Sequence, residues 1–314
     1  MKPKPNLFMV GAAKSGTTSL YKYLTQHSEI YFSPVKEPNY FSDDIDIFKF
    51  SPIYKKNTFL KADRYFRQQE LHELPLAFVR KKEHYAKLFE KSNHYKIRGE
   101  ASTSYLYSKS AAENIYNYNP EAKILVILRN PMERAFSHYL MAVRYGYTSL
   151  NFKEAVIKDW NKENKGWGIS ELFIELGLYH DQLKRYFNIF PKEQILVLFF
   201  DDLKTEPQKL LDQCYHFLEL EAFRLDDPKA YNTKESPKNI RLNYFLTRSG
   251  LKNTLKHFLS QATKDKLSQA FYSQSKLQLG KDDFDFLLDF YQDDIQKTAG
   301  LLNKNLDHWL IYKK

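Results

Sequence analysis

The sequence predicts an α/β fold: a central parallel β-sheet flanked by helices, nucleotide-binding P-loop-like at its start and mainly helical at its end. Three observations carry this. Residues 7–10 are apolar and stop at Gly11; after a loop of small residues, apolar positions recur at Leu20, Tyr23 and Leu24, which is helical spacing. Two further runs, KILVIL at 123–128 and QILVLFF at 194–200, are nearly continuously apolar, as strands covered on both faces are. Strand and helix patterns alternate over the first two-thirds of the chain, the order from which parallel sheets are built.

The first of these stretches has the layout of a phosphate cradle. A strand runs into the loop Gly11-Ala12-Ala13-Lys14-Ser15-Gly16, and Thr17, Thr18 and Ser19 open the helix. Helix N-terminal N–H groups lack internal partners and favour an anion, glycines let backbone approach it, and Lys14 adds a full charge. The G-x-x-x-x-G spacing is that of a Walker loop, but Thr17 and Thr18 stand where Lys and Ser/Thr would follow. The loop therefore suits a phosphate-like group without the usual Mg–triphosphate handling.

Next comes a short strand at 30–32, then Ser33-Pro34-Val35-Lys36-Glu37-Pro38, held extended by its two prolines. Residues 43–82 mix acids, bases and aromatics without periodicity, which reads as a lid or substrate-facing insertion, or as a peripheral packing subdomain. Helices are expected at 82–91 and 110–118, and a strand at 95–100 ending on Glu100. After the strand at 123–128 come Arg129, an N-cap at Asn130, Pro131 in the first helical position and Glu133 at the capping-box place. That helix should run to about Tyr145, with further helices at 152–160, 170–188 and 205–218. The stretch 226–239 reads as a loop, and the chain from 243 as helical, with the last long helix at 283–302. No composition break marks a second domain, so 1–314 is read as one.

Ligands of open parallel sheets sit at the C-terminal strand edges. Lys14, Lys36, Glu37, Glu100, Arg129 and Asp201 all fall at or just after strand ends, and one rim should gather them. Arginine binds phosphate through two parallel hydrogen bonds, so Arg129 is a natural phosphate ligand, joined by Ser137 if the ligand lies along the helix. Alone, Ser137 reads as a solvated helix serine and Lys36–Glu37 as a surface pair. Beside a phosphate cradle, Glu37 becomes a candidate general base. Glu100 is a second carboxylate, a helper or hydrogen-bond anchor on the acceptor side. Asp201 and Asp202 end a strand as a Walker B acid would, which keeps an ATP/Mg-dependent phosphotransferase as an alternative. A non-catalytic anion-binding module is the other.

Bulk properties narrow the class. Formal charge is +10 and aromatics make up 16% of residues, which fits an anionic ligand, but no tight Lys/Arg array or zinc spacing points to nucleic acid. The single cysteine, Cys214, permits no intrachain disulfide and fits a reducing compartment. No apolar run approaches the roughly 18 residues of a membrane span, and a first strand at Leu7 leaves no room for a signal peptide. A cytoplasmic enzyme is the expectation.

Taken together, these pieces resemble the sulfotransferase superfamily that uses 3′-phosphoadenosine 5′-phosphosulfate, especially its bacterial and Golgi carbohydrate branch. VGAAKSGTTSL is similar to the family's 5′-phosphosulfate loop, and ILVILRNPMERAFSHYL to its 3′-phosphate segment, with Arg129 and Ser137 matching its arginine and serine. PVKEPNYFS resembles the segment that supplies the catalytic glutamate of heparan-type members, which matches Glu37; later segments, including the closing LDHWL, are also similar. The resemblance implies a sulfuryl transfer to a saccharide or other small acceptor that needs no metal. Lys14, Ser15, Gly16, Thr17, Thr18 and Ser19 would hold the 5′ side, with Lys14 acting on the leaving phosphate. Arg129, Ser137 and, by a looser match, Lys238 and Arg241 would hold the 3′-phosphate, and Lys36 and Glu100 would lie toward the acceptor. Heparan-type members carry a lysine directly after the glutamate that matches Glu100; here Ala101 stands there, which leaves Lys36 or another base for its role, if one is needed.

Overall fold

The computed structural model describes residues 3–58, 62–225, 236, 237, 239–249, 272, 273 and 278–313. Five strands, β1 (Leu7–Gly11), β2 (Ile30–Phe32), β3 (Ile97–Ala101), β4 (Lys123–Leu128) and β5 (Ile195–Phe199), pair in parallel in the order β2-β3-β1-β4-β5. The helices are α1 (Thr17–Leu24), α2 (Pro52–Asn57), α3 (Ala62–Phe66), α4 (Lys82–Lys87), α5 (Ser104–Tyr107), α6 (Ala111–Tyr118), α7 (Pro131–Arg144), α8 (Phe152–Trp160), α9 (Tyr179–Phe187), α10 (Phe200–Thr205), α11 (Pro207–Phe217), α12 (Ile240–Arg248) and α13 (Lys281–Leu302).

The continuous apolar runs are explained by two cores, one on each face of the sheet. Alternate strand side chains point to opposite faces. Leu7, Met9, Leu125 and Ile127 pack with α1 and α11, around Leu20, Leu24, Leu211 and the buried Cys214. Phe8, Val10, Ile124, Val126 and Leu128 face a larger core built with α4–α9 and α13. Every residue of β1 is buried, so neither face admits a polar side chain.

Glu100 departs from the expected rim position through the same alternation. β3 extends to Ala101, whose side chain joins the α1 face, and Glu100 therefore points into the opposite core, fully buried. Other expected elements end differently for local reasons. Between 170 and 178 there is no α-helix: Leu172 adopts φ 54°, and only a short 3₁₀ turn, Glu175–Gly177, precedes α9. The helix expected at 205–218 is α11, which begins at Pro207 in the first helical position, and the short α10 precedes it. The helix expected at 82–91 ends at Lys87. Residues 226–235 and Lys238 lie outside the described residues, as does the stretch 250–271 of the expected C-terminal helical part.

Much of 43–82 is packed against the body of the protein. Ile45, Phe50 and Phe78 form a small core with Tyr54 and Trp167, and Tyr65 and Phe66 join the large core. Arg80 staples the base of the excursion, donating to the carbonyls of Asn39 (2.5 Å), Ser42 (3.1 Å) and Ile45 (3.0 Å).

Candidate functional site

The loop after β1 stays on the sheet because the Ala12 amide donates to the Ile127 carbonyl of β4 at 2.8 Å. Lys14 and Gly16 take positive φ (68° and 93°), so the chain turns sharply before α1. Gly16 is the N-cap of α1, no side chain caps the first turn, and no acidic residue lies in it. The amides there are open to an anion. A side chain at Gly16 would collide: its Cβ would lie 2.7 Å from the Phe200 ring. Ser15 and Thr17 are buried; Lys14, Thr18 and Ser19 are half-buried at the mouth of the loop.

Arg129 comes to the same place from β4. Its guanidinium lies over the Phe200 ring, 4.5 Å from the centroid, and donates to the Lys14 carbonyl at 3.4 Å. Phe200 thus floors both the loop and the arginine, a stacked arrangement guanidinium favours. Nη2 and Nε of Arg129 also donate to Glu133 Oε2, at 2.7 and 3.2 Å. Glu133 is therefore not a reciprocal capping residue. Asn130 alone caps α7, accepting from the Met132 and Glu133 amides at 3.0 and 3.4 Å, while its Nδ2 donates to the Trp309 carbonyl at 3.1 Å. Behind the arginine, the buried Tyr179 hydroxyl donates to the Arg129 carbonyl at 2.8 Å. Ser137, half-buried, lies one turn beyond Glu133 on the same face of α7. Its neighbour His138 is buried and held well below the usual imidazole range, by burial first and then by Arg134 and Lys14; it accepts from Arg134 Nη1 at 3.4 Å.

Glu37 lies on the rim beyond β2. Lys36 Nζ pairs with its Oε1 at 3.0 Å, and Thr103 Oγ1, from the turn after β3, donates to its Oε2 at 3.0 Å. The carboxylate is 17% exposed, shielded yet reachable. Asn39 fixes the backbone beneath it. Its Nδ2 donates to the carbonyls of Glu37 and Ala77, both at 2.8 Å; its Oδ1 accepts from Ser104 Oγ, and its amide donates to Ser102 Oγ at 3.0 Å. The Tyr105 hydroxyl accepts the next two amides, those of Tyr40 and Phe41. Glu100 lies below this network among Tyr85, Tyr105 and Tyr118. Burial pushes its carboxyl up to about 8, against the opposing pull of the Tyr105 and Tyr85 hydroxyls.

The rim thus gathers the loop 11–16, Arg129 and the Lys36–Glu37 pair, and it excludes Glu100. Asp201 and Asp202 sit in the first turn of α10, where Asp201 faces His308 at 3.7 Å. Arg241 is exposed in the first turn of α12. No group of three or more metal-ligating side chains occurs among the described residues, and no helix among them is long and apolar enough to cross a membrane. Sequence reasoning missed Phe200, Tyr179, Asn39, Thr103 and the role of Glu133. Only Glu133 had a readable signal, its position four residues after Arg129.

Comparison with known proteins bears on the family and the fold. The family described as sulfotransferase domain matches residues 4–299. Carbohydrate sulfotransferase 15 of Rattus norvegicus is 27% identical over 273 residues, covering 76% of this chain and 47% of its own. Bifunctional heparan sulfate N-deacetylase/N-sulfotransferase 1 of Xenopus tropicalis is 27% identical over 224 residues, covering 68% of this chain and 22% of its own. The chain spans about half or less of the length of these curated relatives. A sulfotransferase crystal structure from Alicyclobacillus acidocaldarius superposes with a TM-score of 0.68 at 26% identity, covering 98% of this chain and 100% of its own.

Proposed function

The chain belongs to the sulfotransferase domain family, and from that premise we propose that it moves a sulfuryl group from 3′-phosphoadenosine 5′-phosphosulfate to an acceptor hydroxyl, less readily an amine, with Glu37 as general base. The acceptor is a saccharide or another small molecule; the curated relatives named for carbohydrate and heparan sulfate favour a saccharide. The observation that carries the reading is the shared rim: an uncapped helix N-terminus, a stacked and buried arginine, and a carboxylate fixed by two donors.

The residues present fit such a donor. The uncapped first turn of α1, with Lys14, offers hydrogen bonds and charge to a 5′-phosphate, and Gly16 keeps the backbone clear of side chains. Arg129 and Ser137 lie on one stripe for a 3′-phosphate. When bound, the donor supplies the sulfuryl group and leaves as adenosine 3′,5′-bisphosphate. Glu37 accepts the acceptor's hydroxyl proton as the new O–S bond forms and the bond to the 5′-phosphate breaks. Lys14 and the loop amides meet the charge that develops on the leaving phosphate, where removal of one such donor typically costs about 10²–10³ in rate. Lys36 and Thr103 hold the two oxygens of Glu37 and keep the carboxylate aimed.

The purified protein should bind adenosine 3′,5′-bisphosphate more tightly than AMP in titration calorimetry, and Arg129→Ala should erase the difference. Equal binding of both nucleotides by the unmodified protein refutes the 3′-phosphate site. Glu37→Gln should keep bisphosphate affinity and lose about 10²–10⁴ of turnover; near-normal turnover would remove Glu37 as the base.

A further inference from the structure

Away from the phosphate loop, the turn after α7, one face of α8, the segment 171–173 and α12 enclose a cavity of about 210 Å³. Tyr147, Thr148, Lys158, Asp159, Glu171 and Tyr244 line it. Its two carboxylates are not equivalent. Asp159 is 3% exposed and fully engaged: it accepts the amides of Glu171 (2.8 Å) and Phe173 (3.3 Å), and Lys162 lies 3.5 Å away. It holds the turn in which Leu172 takes its positive φ. The Glu171 carboxyl makes no hydrogen bond with any described residue, and burial, then the adjacent Asp159, push it up to about 7. The Glu171 side chain is half-buried at the cavity wall, and donors on a ligand could take the place of water at its carboxyl.

The cavity is adjacent to the reacting rim. Tyr54 stands between them: its hydroxyl accepts from Trp167 Nε1 at 2.8 Å, and the charges of both Glu37 and Glu171 act on it. The Tyr147 ring lies 6.1 Å from that of Tyr54, and its hydroxyl accepts from Asn57 of α2 at 3.3 Å. Aromatic rings therefore lead from the base to the cavity, where Tyr147 and Tyr244 offer flat apolar faces and Glu171 offers acceptor oxygens. That pairing suits a ring with C–H faces and several hydroxyls. An anionic unit would bring another negative charge beside Asp159 and Glu171, with only the exposed Lys158 and the already paired Lys162 to offset it.

We propose that this cavity is an acceptor subsite that receives an uncharged, hydroxyl-rich sugar unit next to the one presented to Glu37, with Glu171 accepting its hydroxyl protons in hydrogen bonds. The proposal rests on the saccharide reading above. It is tested on the full chain, with adenosine 3′,5′-bisphosphate bound, by saturation-transfer NMR and calorimetry. The probes are a neutral oligosaccharide, chitotriose, and a uronate-bearing hyaluronan tetrasaccharide. Chitotriose should bind more tightly. Glu171→Leu and, as a second variant on the helix surface, Tyr244→Ala should each weaken it by about tenfold or more, the scale of a lost charged hydrogen bond or ring contact, while bisphosphate affinity stays the same. Glu171→Gln should narrow the preference for chitotriose over the uronate-bearing probe. Unchanged chitotriose binding in both Glu171→Leu and Tyr244→Ala overturns the subsite, as does tighter binding of the uronate-bearing probe or no saccharide binding at all. Failure of the wider reading is separately visible: bisphosphate would then not bind, whereas saccharide binding remains measurable without it.

Discussion

At the residue scale, Arg129 shows how one side chain serves packing and charge together. Its aliphatic and guanidinium surface is buried over Phe200, and its charge is met by Glu133, whose carboxylate is 46% exposed. A half-exposed counter-ion keeps a buried cation tolerable in the free protein and is a weak competitor for a phosphate. Glu100 shows the reverse case, an acid with no counter-ion in a core. A carboxyl whose folded pKa (about 8) exceeds its usual 4.5 binds more protons folded than unfolded between those values, so unfolding free energy falls as pH rises through that window. Glu100→Gln should remove much of that slope. The variant should match the wild type near pH 4.5 and exceed it near pH 9 by several kcal/mol, since each pKa unit is worth about 1.4 kcal/mol. Urea denaturation at both pH values checks this, and parallel wild-type and variant curves would exonerate Glu100. Arg129 was legible in the sequence because it follows an unmistakable strand. Glu100 was misplaced because one residue of strand length decides which face a side chain takes.

At the element scale, the segment 33–42 has no helix or ladder of its own and depends on borrowed bonds. Beside the backbone bonds to 74–79 and the Tyr105 hydroxyl, Asn39 supplies several of them from φ 51°, a left-handed conformation that asparagine tolerates better than most residues. Asn39→Ala would take the donor from the buried Ala77 carbonyl and leave the Glu37 carbonyl and the Ser104 hydroxyl with one partner each, the Ala77 amide and Ser42. It should cost about 2–4 kcal/mol of stability and lower turnover through misaligned Glu37, with bisphosphate affinity unchanged because the loop 11–16 takes no support from Asn39. Thermal melts and calorimetry separate the two effects; a variant with normal turnover would show that Asn39 does not aim the base. None of this could be read in advance, because its partners lie more than sixty positions away in Ser102, Ser104 and Tyr105. The strands were the opposite case: β4 begins and ends where its apolar pattern does, since a strand buried on both faces carries its own signature. The supposed helix at 170–188 failed in its first half because tertiary contacts overrode local periodicity there. Asp159 draws two amides of that half into a turn, and the Phe173 carbonyl accepts from the Tyr291 hydroxyl at 3.0 Å.

At the scale of the whole molecule, strand order explains where chemistry gathers. The chain leaves β1 for β2 and β3 on one side, then returns to β4 and β5 on the other, so β1 is the point where connections diverge. Loops after β1, β3 and β4 part there and leave a crevice, which is where open parallel sheets bind ligands. The phosphate loop, Thr103 and Arg129 are those three loops. That these strand ends share one rim followed from the alternation of apolar runs; the strand order did not, nor did the way 43–82 and 161–173 lie against each other, as in the Ser51 amide donating to the Gly168 carbonyl at 2.8 Å. One contact crosses the entire architecture. The Asn130 side chain that caps α7 is held by the carbonyl of Trp309, 179 positions later, and the Trp309 ring packs against Phe199 and Tyr179 beside Arg129. A ribosome makes Asn130 long before Trp309, so the residue that caps α7 beside Arg129 gains this last partner only once that tryptophan has been synthesised.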